Sequence, residues 1–105
     1  MKIYKKAILP LGFKANAVAC GIRKLEKLDL ALFYSSIPAK ASCRFTTNKI
    51  LASPIKVDKE QLKHKGLFKA VIVNSGNANC FTGSLGVKDA LRVTEELGSE
   101  LEIKR

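Results

Sequence analysis

A change of hydrophobic period in the second half of this 105-residue chain restricts its folding more than any other feature. Lys69-Ala70-Val71-Ile72-Val73 is a β-branched run that predicts a strand buried on both faces, the core strand of the fold. Asn74-Ser75-Gly76-Asn77-Ala78-Asn79 follows, and every residue in it is small and turn-forming, so the chain leaves the sheet there. Beyond Thr82-Gly83, the apolar positions Val87, Ala90, Leu91, Thr94 and Leu97 recur at intervals of three and four. They predict an amphipathic helix from Ser84 to Leu97, with Gly98 as its C-terminal cap. Strand, polar loop and helix thus follow one another in this order.

The first half is written in shorter signals. Gly12-Phe13 and Gly21 bracket a strand over Lys14 to Cys20. Leu28, Leu30, Leu32 and Tyr34 keep a two-residue period, which predicts a strand over Leu28 to Ser35 that Pro38 ends. Cys43 to Thr47, closed by Asn48, is a second strand expected to pair antiparallel with it. Ile50 to Val57 reads as short and extended, with Pro54 at an edge or strand start. Asp58, followed by Gln61 three residues on, predicts the capped start of a short surface helix that Gly66 stops in a left-handed conformation. The tail from Glu100 to Arg105 is expected to begin a further strand.

Composition sets the limits. At 47% hydrophobic and 27% charged the chain is a folding sequence, expected to form one small domain or a piece of a larger one, with a core so thin that a partner is expected to complete it. No apolar run approaches the ~20 residues that cross a bilayer. Lys2, Lys5 and Lys6 precede Ala7-Ile8-Leu9, but Pro10, Gly12, Lys14 and Asn16 interrupt what an export signal would need. The net charge of +10 is uneven: residues 1–56 hold eleven bases and two acids, residues 57–105 eight and seven. A basic half attracts polyanions, yet fifteen of the nineteen bases are lysines scattered without aromatic interleaving, which favours a solvated surface and no nucleic-acid partner.

Chemistry has few footholds. Cys20, Cys43 and Cys80 include no C-x-x-C pair and His64 is the sole histidine, so no metal cluster is expected and the cysteines read as buried free thiols in a reducing cytoplasm. His64 lies between lysines and reads as a surface residue. The Asn74 to Asn79 loop before a helix suits backbone anion binding, but it lacks the G-x-G-x-x-G and G-x-x-x-x-G-K-[ST] patterns. A tight connection in which Asn side chains bond neighbouring backbone is the favoured reading, and a small non-enzymatic anion-binding module using Asn74 to Asn79 is the alternative. Thr46 and Thr47 are far from any terminus whose amine would activate them, and Glu95, Glu96, Glu100 and Glu102 follow a solvated helix end. Composition and spacing yield no catalytic, cofactor-binding or metal residue.

The ordered series of motifs says more. Pro10-x-Gly12-Phe13, Gly21-Ile22, Asp29-Leu30-Ala31-Leu32, Pro38-Ala39, Phe45-Thr46-Thr47-Asn48, Ala52-x-Pro54 and Asn74-Ser75-Gly76-Asn77-Ala78-Asn79 resemble the ornithine acetyltransferase family, the bifunctional glutamate N-acetyltransferases of arginine biosynthesis. The resemblance runs from about Pro10 to Gly86. It implies a cytoplasmic enzyme that moves acetyl from N-acetylornithine, in some members also from acetyl-CoA, to glutamate. The family's nucleophile is a threonine freed by self-cleavage, whose own amine takes the hydroxyl proton. The implied fold is α/β, part of a four-layer αββα sandwich that is incomplete in this chain.

The family's Ala-Thr-Met-Leu cleavage segment and Ser-Thr-Gly oxyanion segment are absent before Arg105, and Thr46, Thr47, Thr82 and Thr94 match neither. The resemblance therefore implies that residues 1–105 are the amino-terminal fragment of a single acetyltransferase domain, inactive alone. Its implied partners are the remaining α-chain and β-chain segments in an α/β hetero-oligomer, with no membrane role. Cys80-Phe81 stands where the family usually reads Ala-Cys before Thr-Gly, so Thr82-Gly83 keeps register while the cysteine shifts by one.

Overall fold

The computed structural model describes residues 8–24, 26–64 and 66–103. Two compact units divide the chain, one formed by the segment through Ala39 with Lys69–Gly76, the other by Lys40–Phe68 with the segment from Asn77.

The first unit is a three-stranded sheet in the order β1-β2-β3, made of β1 (Phe13–Val18), β2 (Leu30–Ala39) and β3 (Phe68–Asn74). β1 and β2 are antiparallel, in a register running from Phe13 opposite Ser35 to Val18 opposite Leu30. Directly opposed residues share a face, so Phe13, Ala15 and Ala17 stand with Ser35, Phe33 and Ala31, and Lys14, Asn16 and Val18 with Tyr34, Leu32 and Leu30. The Lys69 ammonium lies 5.5 Å from the centroid of the Tyr34 ring. Gly12, with φ +86°, turns the chain into β1 and accepts the Ser36 N–H at 2.8 Å.

Three expectations change here. The partner of β2 is β1, and Cys43 to Thr47 forms no strand. Pro38 does not end β2: it lies inside the strand but past Ser35, the last residue paired with β1, where its missing N–H removes no bond of that ladder. β3 forms where the β-branched run placed it, yet Val71 and Val73 remain 58% and 49% exposed, and the central strand is β2. A run buried on both faces needs a covering layer on each, and among the described residues the face that carries Val71 and Val73 stays exposed while Ala70 and Ile72 on the other are half-buried.

In the second unit α1 (Ser53–His64) packs against α2 (Gly83–Glu100). Helix α1 starts five residues before the expected Asp58, so Ile50 to Val57 is largely helical and Asp58 is an interior helix residue. Pro54 fits the first turn, where an N–H would have no intrahelical acceptor. Gly66 follows α1 without a left-handed φ. Val57, 5% exposed, is the one buried apolar residue among those described.

Helix α2 begins within a residue of its expected start and continues past Gly98 to Glu100. It ends in a Schellman arrangement, with Glu102 at φ +51° donating to the Ser99 carbonyl at 3.1 Å and Ile103 donating to the Gly98 carbonyl at 2.9 Å. Gly98 thus supplies an acceptor three residues before the cap, and the segment through Ile103 closes the helix and begins no strand. The three cysteines are free but exposed, correcting the expectation of burial. The side chain of His64 and the first seven residues lie outside the described residues.

Candidate functional site

Some of the motif residues, among them Gly21, Asp29, Ser75, Gly76 and Asn79, take part in two polar junctions, one in each unit. The first is organised by Asp29, 3% exposed, at the foot of β2. One carboxylate oxygen accepts the Cys20 N–H and the other the Arg23 N–H, both at 2.8 Å, which fastens the turn at Gly21 (φ +88°). The Asp29 N–H donates to the Val18 carbonyl at 3.0 Å, and its own carbonyl accepts the Ser75 N–H at 2.8 Å. Those two amides, Cys20 first, hold the Asp29 carboxyl down at about 2, because they stabilise its charged form. The same carboxylate, as hydrogen-bond acceptor, pushes the Cys20 thiol up and makes it a poor nucleophile.

Gly76 completes this junction. Its φ of +92° favours glycine, and a Cβ there would collide with the Cγ of Arg23 and stand 3.2 Å from its Cδ. A hollow of about 120 Å³ opens beside Asp29, lined also by Leu28, Leu30, Val73, Asn74 and Ser75. That is well below the ~300–1,000 Å³ of small-molecule sites.

The second junction joins the starts of α1 and α2. The Asn79 carbonyl accepts the Ser53 N–H at 3.2 Å, and its side-chain amide donates to the Gly86 carbonyl at 2.7 Å. The Asn79 side-chain oxygen accepts the Thr82 hydroxyl at 2.5 Å, and the Ser53 and Thr82 hydroxyls are 3.2 Å apart. Gly83, at φ +60°, turns the chain so that Thr82 lies over Gly86, where a Cβ would collide with the Thr82 hydroxyl and the Asn79 side chain. A glycine inside a helix costs ~1 kcal/mol against alanine, and here close packing requires it.

The Asn74 to Asn79 motif therefore serves both junctions, Ser75 and Gly76 in the first unit and Asn79 in the second. Its Ser75 N–H and Asn79 side chain are spent on internal bonds, the latter to the Gly86 carbonyl seven residues on and to the Thr82 hydroxyl. Threonine hydroxyls elsewhere are used locally: Thr46 accepts the Asn48 N–H at 3.2 Å, and Thr94 donates to the Leu91 carbonyl at 2.7 Å. Sequence reasoning marked Asp29 only as a member of a motif, without its role, and missed Ser53 and Gly86 as junction residues. Of the two missed, only Gly86 carried a local signal, a glycine in a predicted helix interior.

Comparison with known proteins shows the family. The model of the ArgJ family matches residues 14–105. The chain belongs to the ArgJ family. It is 44% identical over 99 residues to the arginine biosynthesis bifunctional protein ArgJ of Caldanaerobacter subterraneus, an alignment covering 94% of this chain and 24% of that protein. It is also 44% identical over 95 residues to the protein of the same name from Bacillus subtilis, covering 90% and 23%. The solved ArgJ of Bacillus halodurans superposes with a TM-score of 0.85 at 33% identity, over 90% of this chain and 49% of that one. The ornithine acetyltransferase of Mycobacterium tuberculosis, solved in complex with ornithine, superposes at 0.82 with 38% identity, over 89% and 48%. The α/β fold is thus that of the family. The chain spans about a quarter of the length of these curated relatives and about half of the solved chains.

Proposed function

We propose that residues 1–105 are the amino-terminal part of a single acetyltransferase domain of arginine biosynthesis. The complete cytoplasmic enzyme transfers acetyl from N-acetylornithine to glutamate, and the threonine nucleophile and oxyanion groups come from sequence outside this chain. The observation that carries the reading is the family match over residues 14–105. Geometry supports it: Asp29, Gly76 and Asn79, which belong to the motifs of the resemblance, are among the residues that build the two junctions. This chain's part is structural, a sheet and a helix pair on which the remaining α-chain and β-chain segments complete the sandwich as a hetero-oligomer.

The mechanism assigned to the whole enzyme divides the transfer into two steps through an acetyl-threonine ester. The threonine oxygen attacks the acetyl carbonyl of N-acetylornithine and ornithine departs with the hydroxyl proton. The glutamate amine then attacks the ester carbonyl, the C–O bond breaks, and the amine's proton returns to the threonine oxygen as N-acetylglutamate leaves. None of the four threonines that the family motif leaves unmatched carries that role here. The test is acetyl transfer to glutamate by residues 1–105 alone and after co-expression with the remainder of the Bacillus subtilis relative. Activity is expected only in the second case. Turnover above a blank in the isolated chain that survives Thr46→Ala and Thr47→Ala would overturn the assignment.

A further inference from the structure

We draw no further inference here: the strongest candidate, the exposed apolar surface of the sheet along Val71 and Val73 of β3, carries nothing beyond the proposed function because nothing in the structure shows what covers it.

Discussion

Replacing Val71 with threonine separates a surface strand from one awaiting a cover. The two side chains have the same branched shape and similar preference for a strand, so the substitution changes little except that a hydroxyl replaces a methyl. Val71 is 58% exposed. Complete burial of such a side chain is worth ~1.5–3 kcal/mol, so covering the exposed part stands to gain ~1–2 kcal/mol. A hydroxyl covered without a hydrogen-bond partner costs ~1–3 kcal/mol instead. In the isolated chain Val71→Thr is therefore expected to change stability by less than ~0.5 kcal/mol, the usual range for an exposed site. In the protein co-expressed with the remainder of the Bacillus subtilis relative, as the proposed function requires, it is expected to cost ~1–3 kcal/mol.

The assay is urea unfolding of both variants, alone and assembled. Seventeen large apolar side chains among the described residues are exposed, and at roughly half of ~1.5–3 kcal/mol each they withhold on the order of 10–25 kcal/mol of burial. That matches or exceeds the ~5–15 kcal/mol of net stability typical of a domain, so the isolated chain is expected to unfold broadly and to associate. A sharp, concentration-independent transition of several kcal/mol in the isolated monomer, with Val71→Thr equally mild in both settings, would refute the reasoning.

Gly86→Ala should destabilise the assembled protein by ~1–2 kcal/mol in thermal unfolding, although alanine is the better helix former, because the new methyl displaces the Asn79 and Thr82 side chains and breaks hydrogen bonds worth ~0.5–1.5 kcal/mol each. Gly76→Ala should cost ~1–2 kcal/mol from its left-handed backbone alone, and more from the collision with Arg23, so a double mutant with Arg23→Ala should recover part of the loss in a mutant cycle; no recovery would show that the Arg23 contact is immaterial. The Asp29 carboxyl titrates at about 2, below its ordinary 3.8, so its clamp contributes stability above the ordinary carboxylate range and loses it as pH falls through about 2. Asp29→Asn should abolish that acid dependence and quicken alkylation of Cys20 at neutral pH, which an unchanged alkylation rate would contradict.

The pieces legible in the sequence were those decided by neighbours along the chain. β3, the loop after it and the start of α2 follow from β-branched crowding, small turn formers and a three-to-four period, all of which act over a few residues. The motif series likewise marked residues of both junctions, Asp29 and Asn79 among them, without revealing what each holds. Tertiary structure decided the rest. Cys43 to Thr47 and Phe13 to Val18 both have strand-like local preferences, and only long-range hydrogen bonding selected the second as the partner of β2. Pro54 suits an edge strand and a first helical turn equally well, so the packing of α1 on α2 settled residues 53–57. The apolar run of β3 specifies extended backbone, but exposure depends on what lies across each face, and that is a property of packed layers which no local pattern contains.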